Sequence, residues 1–172
     1  MNEKLENQEN PMRKIKIEKV VLSIGGTGEE LEKGFKLLKI LTGRTPAKTK
    51  SRKRIPSLGV RPKLEVGALV TIRKNPEETL KKMLSTLDNT LRKKQIRENN
   101  FSFGIKEYIE IPGMEYQRDI GIKGLDVTVT FKRAGRRVKL KKIKRGKIPK
   151  KQRVTSEEII KFMEEKFKTK FI

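Results

Sequence analysis

Cysteine, histidine and tryptophan are all absent from this chain of 172 residues. Without cysteine there is no disulfide, thiol nucleophile or cysteine-ligated zinc, and without histidine the commonest general base and metal ligand is missing. No stretch approaches the roughly 18 apolar residues of a membrane span, and no apolar leader-like segment opens the chain. We therefore expect a cytosolic protein that is not an enzyme, needs no cofactor or metal and has no membrane partner.

Positive charge dominates what is present. Lys and Arg number 44 against 21 acidic residues, which gives a formal net charge of +23. A chain this basic repels itself unless a polyanion neutralises it, and nucleic acid is the partner that such a charge predicts. Apolar residues make up 34%, with seven Phe and two Tyr, so the core is expected to be modest and mainly aliphatic.

The start of the chain predicts a tail, a strand and a helix. Residues 1–11 are polar and lack apolar periodicity, which is typical of a disordered tail. Residues 15–24 alternate as a strand does. Thr27 and Glu30 then have capping-box spacing, and the helix that they open is expected to stop at Gly43.

A second strand and helix follow. Residues 64–72 alternate strictly, which predicts a strand. Asn75 and Pro76 supply an N-cap and a first helical residue for a helix whose apolar face runs to Leu91. The basic residues 92–94 are placed to close this helix favourably against its dipole.

Two more strands and a terminal helix complete the pattern. The run from Phe101 alternates and then shifts phase near residues 104–108, which predicts a bulge or bend. Residues 125–131 alternate again, with a polar side that faces RNA or solvent. Thr155 opens another capping box, in front of a helix predicted over residues 156–168.

This order of elements predicts an α+β fold. A mostly antiparallel sheet would carry helices packed on one face, and its open face would remain free for RNA. Residues 12–172 are expected to form a single domain with basic extended loops.

Two segments concentrate positive charge. Residues 44–63 show little periodicity and predict a long basic loop suited to following a phosphate backbone. Residues 132–153, the basic arm, hold 13 Lys or Arg among 22 residues and no acid. Such an arm is expected to be disordered when free and to fold on RNA. Tyr116 is the aromatic side chain best suited to stack on an unpaired base, whereas aromatics that alternate along a strand are more often core.

The turn at residues 25–28 contains three glycines and precedes a helix, as phosphate-binding loops do. It lacks the Gly-Lys-Ser/Thr ending, and Glu29 and Glu30 occupy the first helical turn, where a phosphate would sit. A tight turn explains it better. A nucleotide-using enzyme and a membrane-active cationic protein are the alternatives left open, with little in the sequence to favour either.

Five strings occur in an order that resembles one known family, the large-subunit ribosomal protein numbered five in its archaeal or eukaryotic form. They are Asn10-Pro11-Met12-Arg13, Leu41-Thr42-Gly43-Arg44-Thr45-Pro46, Lys50-Ser51-Arg52, Asn99-Asn100-Phe101-Ser102-Phe103-Gly104-Ile105 and Ile120-Gly121-Ile122-x-Gly124-Leu125-Asp126. The string Val154-Thr155-Ser156-Glu157-Glu158 after the basic arm resembles the archaeal and eukaryotic branch.

The resemblance implies a structural ribosomal protein whose open sheet face and N-terminal strand bind 5S rRNA in the central protuberance. Implied partners are large-subunit rRNA, P-site tRNA, the small-subunit head protein numbered thirteen and the neighbouring 5S-binding large-subunit protein numbered eighteen. Residues implied near rRNA are Asn10, Met12, Arg13, Lys14, Lys48, Lys50 and Thr71, to which charge adds Arg73, Lys132, Arg133, Arg136 and Arg137. The implied tRNA-facing loop contains Ser51, Arg52, Lys53, Arg54, Ser57, Gly59 and Arg61.

Overall fold

The computed structural model describes residues 10–172, so nearly all of the tail predicted over residues 1–11 lies outside the described residues. Asn10 begins a turn, in which the backbone N–H of Arg13 donates to the Asn10 carbonyl over 2.9 Å. Within residues 10–172, no helix has the length and apolarity that crossing a membrane requires.

The described residues form strands and helices in alternating groups. The strands are β1 (Lys16–Gly25), β2 (Ala47–Lys50), β3 (Glu65–Ile72), β4 (Thr90–Leu91), β5 (Ile96–Arg97), β6 (Asn100–Ile105), β7 (Leu125–Lys132) and β8 (Lys170–Phe171). The helices are α1 (Glu29–Thr42), α2 (Pro76–Ser85), α3 (Arg137–Leu140) and α4 (Ser156–Phe167).

One six-stranded sheet organises the fold, in the order β2-β3-β1-β7-β6-β5. Every neighbouring pair in it is antiparallel. Helices α1, α2 and α4 pack on one face of this sheet and bury a continuous apolar core. The predicted α+β fold with a mostly antiparallel sheet is confirmed.

Alternating side chains explain why only one face is buried. On β1, Val20 and Leu22 are fully buried, whereas the intervening Val21 is only half-buried. On β7, Phe131 reaches the same core and lies 5.7 Å, centroid to centroid, from the Phe162 ring of α4. Because successive side chains of a strand point to opposite faces, one set fills the core and the other forms an open face.

The capping box predicted at Thr27 is wrong. Helix α1 begins at Glu29, and Gly28 occupies the N-cap position with φ 57° and no side-chain cap. A positive φ favours glycine over threonine, so the chain turns one residue later than the capping motif predicts. The predicted stop at Gly43 is confirmed, with φ 64° there.

The helix after Pro76 is shorter than its apolar pattern predicts. It ends at Ser85, and Leu91 is buried from strand β4 instead. Residues 92–94 therefore do not close the helix. The apolar side chain contributes to the same core from a different backbone conformation, which a helical spacing cannot distinguish.

The bulge or bend predicted near residues 104–108 is present as a bend at Lys106, without a bulge. The pairing of β6 with β7 is regular from Asn100 to Ile105, and a 3-10 turn over Tyr108–Glu110 accounts for the shift of phase. An irregularity occurs elsewhere, in β1, where the pairing with β7 shifts between Ile17 and Lys19.

Residues 44–63 are more ordered than the predicted loop. Strand β2 pairs with β3 along the sheet edge. Beyond it, Ile55 and Val60 pair in an isolated bridge around a 3-10 turn at Pro56–Leu58. Strand β2 and the isolated bridge are too short to produce a recognisable alternation of apolar residues. The sequence of this segment therefore indicated only its positive charge.

The C-terminal helix and the chain end are tied to the rest of the fold. The capping box at Thr155 is confirmed, because its side chain accepts from the Glu158 N–H while the Glu158 carboxylate accepts from the Thr155 N–H. Strand β8 then pairs in parallel with β4, and the Lys93 N–H donates to the Ile172 carbonyl over 2.9 Å.

Gly124 provides a test of the junction between β6 and β7. A Cβ at this position would lie 2.7 Å from the Lys106 carbonyl oxygen and 2.8 Å from that of Ile105. We expect Gly124→Ala to lower the free energy of unfolding by about 1–3 kcal/mol through overpacking, measured by urea denaturation.

Gly25→Ala is the matched control, because a Cβ there would meet nothing within 4 Å. Its effect is expected to stay within about 1 kcal/mol. Equal losses in the two variants would contradict the close packing assigned to Gly124.

Candidate nucleic-acid interface

The middle of the sheet's open face is polar but nearly uncharged. At its margins, strand register also places Gly25 and the cations Lys16, Arg97 and Lys132 on this face. The middle contains fourteen residues, among which Lys19 and Asp126 are the charged ones. They are Lys19, Val21, Ser23, Ala47, Thr49, Gly67, Leu69, Thr71, Asn100, Ser102, Gly104, Asp126, Thr128 and Thr130. The Ser102 and Thr128 hydroxyls lie 3.1 Å apart. Such a surface offers hydroxyl groups rather than cations.

Cations gather at one end of this face, where β1 begins and β3 and β7 finish. We call this the basic end. Lys16 and Lys132 are paired across the strands there, and Arg73 follows the last residue of β3. The Arg44 guanidinium donates to the Thr71 carbonyl over 3.5 Å. The predicted residues Thr71, Arg73 and Lys132 are thus brought together.

The N-terminal turn joins the basic end through the basic arm. The Gln152 side-chain amide donates to the carbonyls of Met12 and Ala134, each over 3.2 Å. Asn10 accepts from the Met12 N–H through its side chain over 2.9 Å. Asn10, Met12, Arg13 and Lys14 therefore lie beside the start of the arm, as a group, and Arg13 is half-buried.

Some predicted RNA-binding cations serve the fold. The Arg133 side chain is only 6% exposed and donates to the Glu158 carboxylate over 2.5 Å. Arg136 forms an ion pair with Glu18 and also donates to the Phe131 carbonyl. Arg137 is exposed. A guanidinium that is already paired with a carboxylate of the fold binds a phosphate less strongly. Arg133 and Arg136 are therefore expected to contribute less to RNA binding than Arg137.

Lys48 and Lys50 lie on the helix side of the sheet instead of the open face. The Lys48 ammonium donates to Glu32 of α1, lies 3.3 Å from the Glu65 carboxylate and sits over the Phe35 ring. Hydrogen bonds to Glu32 and then Glu65 raise the pKa of Lys48 above its ordinary value. Lys50 lines a groove beside the start of α1.

The predicted tRNA-facing residues lie at the opposite end of the sheet, which we call the loop end. Residues 51–64 leave β2 there and return to β3. Ser51 closes the base of the loop through backbone hydrogen bonds with Lys63 and Leu64, both 2.8 Å. The set Ser51, Arg52, Lys53, Arg54, Ser57, Gly59 and Arg61 is exposed except for the half-buried Ser51.

The basic arm encloses a cleft of about 590 Å³ against the end of β7. Asn99 ties the two ends of the arm together. Its side-chain oxygen accepts from the Val154 N–H, and its backbone bonds to both Phe131 and Val154. Seven of the thirteen residues lining the cleft are Lys or Arg, and none is acidic.

Sequence reasoning missed part of this surface. Lys19, Ser23 and Ser102 occupy the intervening positions of predicted strands, so alternation alone could have identified them. Arg44 was visible only as one charge among many in the loop. Lys139, Arg145 and Lys147 share a cleft because the arm folds back, which no local pattern reports.

The glycine turn shows no anion-binding arrangement. Acidic side chains of Glu29, Glu30 and Glu32 occupy the first turn of α1. Among the side chains of residues 10–172, no cluster of three metal-binding groups occurs either. The cations at the basic end and in the basic arm are suited to holding a polyanion.

Arg133 and Glu158 provide a test of charge that serves the fold. Glu158→Gln keeps the capping-box hydrogen bonds but leaves the buried guanidinium without its counter-charge. We expect a loss of about 1–3 kcal/mol in unfolding free energy, less than for a fully buried pair because Glu158 is 40% exposed. Urea denaturation measures it.

Glu98→Gln is the matched control for this pair. It removes the partner of Arg153, but the two side chains are 49% and 64% exposed, so the expected loss is below about 1 kcal/mol. A larger loss for the control than for Glu158→Gln would refute the structural role of Arg133.

Comparison with known proteins assigns the family. A family model described as ribosomal protein L5 matches residues 10–61, and one described as the ribosomal L5P family C-terminus matches residues 65–162. Together the two matches cover most of the chain.

Archaeal relatives named large ribosomal subunit protein uL5 match over nearly the full length. One from Nanoarchaeum equitans is 44% identical over 168 residues, covering 95% of this chain and 99% of the relative. One from Sulfolobus acidocaldarius is 42% identical, covering 93% and 92%. One from Methanococcus maripaludis is 40% identical, covering 96% and 95%. The chain therefore belongs to the ribosomal protein L5 family, in its archaeal type, as a non-enzymatic, RNA-binding component of the large ribosomal subunit.

Proposed function

We propose that this chain holds 5S rRNA in the central protuberance of the large subunit and contacts P-site tRNA through its exposed loop. It would also touch large-subunit rRNA and help to form a bridge to the small subunit. As a ribosomal component it works in the cytoplasm, where archaeal ribosomes are found. The observation that carries the proposal is the open face, lined by hydroxyls and bordered by cations at the basic end.

The chemistry of the open face suits a folded RNA. The wide, shallow minor groove of A-form RNA displays 2′-hydroxyls, and proteins read it largely by shape and by contacts to sugars and phosphates. Thr71, Thr128 and Thr130 present hydroxyls on a nearly neutral surface. Hydroxyl side chains contact phosphate and sugar without specifying bases, which fits recognition of a shape.

The cations at the basic end would supply most of the affinity. Arg73, Lys132 and Lys14 border the hydroxyl surface, and release of counterions from RNA makes each phosphate contact favourable at low salt. Lys48, which its two carboxylates engage, is expected to contribute less than these residues.

The exposed loop is proposed to reach tRNA. Residues 51–61 project from the loop end, opposite the basic end, so one protein can contact two RNA molecules. Leu58 at the tip is 70% exposed. The short bridge between Ile55 and Val60 shapes this tip in advance, which reduces the entropy lost on binding.

Protein neighbours are the remaining part of the proposal. The small-subunit head protein numbered thirteen and the large-subunit protein numbered eighteen are the partners that the family resemblance implies. Ile40, Tyr116 and Ile122 expose apolar surface to solvent, and exposed apolar side chains are what a protein contact can bury.

Replacing three open-face hydroxyls tests the 5S assignment. The variant Thr71→Val/Thr128→Val/Thr130→Val keeps β-branched side chains and removes only hydrogen-bonding groups. At about 0.5–1.5 kcal/mol for each lost hydrogen bond, we expect binding to 5S rRNA to weaken roughly 10- to 1000-fold. Filter binding at physiological salt, against an unrelated structured RNA of equal length, measures the preference.

A control with the same number of hydroxyls lies on the helix side of the sheet, namely Thr79→Val/Thr86→Val/Thr90→Val. It should bind 5S rRNA as the unsubstituted chain does. Equal affinity of the unsubstituted chain for both RNAs would withdraw the 5S assignment, and full 5S affinity in the open-face variant would move the site elsewhere.

Neutralising the exposed loop tests the tRNA contact. Arg52→Gln/Lys53→Gln/Arg54→Gln should leave 5S binding nearly intact, because these residues lie at the loop end. It should speed dissociation of P-site tRNA from ribosomes reconstituted with the variant, since removing cations that neutralise phosphates weakens RNA binding.

The matched control removes the same charge from exposed positions on the helix side, with Lys81→Gln/Lys82→Gln/Lys93→Gln. Its tRNA dissociation rate should equal that of the unsubstituted protein. A loop variant that impairs 5S binding and spares P-site tRNA would reverse the assignment of the two ends.

A further inference from the structure

The cleft enclosed by the basic arm contains cations that no carboxylate of the described residues pairs with. Arg133, Arg136 and Arg153 are engaged by Glu158, Glu18 and Glu98 respectively. The other four cations of the lining, Lys132, Lys139, Arg145 and Lys147, have no carboxylate within 4.0 Å among residues 10–172. Like charges held around one cavity repel, and an anion between them removes that repulsion.

Arg133, which lines the cleft, is fixed by the fold. The Arg133 side chain is 6% exposed, and its Nε–H is the one buried side-chain nitrogen or oxygen without a hydrogen-bond partner in the part of the chain that the structure describes. Its other nitrogens already donate to the Lys151 carbonyl and to Glu158. A buried unsatisfied donor costs about 1–3 kcal/mol, and the ion pair with Glu158 holds this guanidinium in place despite that cost.

The fold already uses part of the neutral polar groups of the cleft. The Gln152 amide donates to two carbonyls, and the Asn99 side-chain oxygen accepts from Val154. Phe131 is fully buried, so its ring is not available to stack on a base. Most of the groups left to meet a ligand are therefore cationic donors, and contacts from such donors to phosphate carry no sequence information.

We propose that this cleft is a second RNA-binding site, which holds the phosphate backbone of an RNA strand without regard to sequence. Lys139, Arg145 and Lys147 bind the phosphates from the arm, Lys132 binds from the sheet, and the ion pair of Arg133 with Glu158 holds the wall of the cleft. Lys132 follows Thr130 on the open-face side of β7, so a strand can pass from the open face into the cleft. The proposal needs RNA but does not need the open face to hold 5S rRNA.

The test uses the full chain and a mixed-sequence single-stranded RNA of about twelve nucleotides, which contains no 5S structure. The cleft variant is Lys139→Gln/Arg145→Gln/Lys147→Gln. The control, Lys141→Gln/Lys142→Gln/Lys144→Gln, removes the same charge from exposed residues of the same arm that do not line the cleft. Fluorescence anisotropy over a salt series gives the affinity and its salt slope.

We expect the cleft variant to lose about tenfold in affinity and its salt slope to fall by roughly 2, at about 0.7 per phosphate contact, with much smaller changes in the control. Equal losses of affinity in the two variants would mean that the arm attracts RNA only through its overall charge, which would overturn the proposed site.

A second measurement uses the unsubstituted chain and does not depend on the folding of any variant. Backbone amide signals of Gly146 and Lys147 should shift and saturate as the short RNA is added. Absence of saturable shifts there would overturn the proposal, as would displacement of the RNA by a poly-glutamate peptide at equal concentration of charge. If the chain showed no preference for 5S rRNA but these short-RNA results held, the assignment of the cleft would be unaffected.

Discussion

Burial of a single face of the sheet is the constraint on which the rest of the molecule depends. β1 pairs with β3 on one side and β7 on the other, and its residues Val20 and Leu22 are fully buried beneath the helices. Because a strand alternates its side chains between faces, the same strands must present their other positions outward. The core and the open face are thus two consequences of one arrangement.

The charge of +23 is distributed unevenly around that arrangement. The middle of the open face carries hydroxyls, whereas cations collect at the basic end and in the loop of residues 51–64. A neutral centre lets the backbone come close to a sugar-lined groove, and charged borders attract phosphates over a longer distance. Affinity and shape recognition can therefore come from different residues of the same surface.

Within the basic arm, cations divide by whether the fold supplies a carboxylate. Glu158, Glu18 and Glu98 engage Arg133, Arg136 and Arg153 and help to hold the arm against the sheet. The cations without such partners remain available to an anion from outside the fold. A run of basic residues is for this reason not a uniform binding surface, and Arg133 inside it is as buried as a core residue.

The sequence by itself determined the main strands, the helix stop at Gly43, the cap at Thr155 and the family, because each depends on local spacing or on short ordered strings. It could not place Leu91 in a strand, find β2 or tell Lys48 from Lys132, since these outcomes depend on distant partners. Arg136 and Glu18, for example, are 118 residues apart in the chain. Periodicity records which face of an element is buried, but only the tertiary structure decides which residues meet there and which charges remain unpaired.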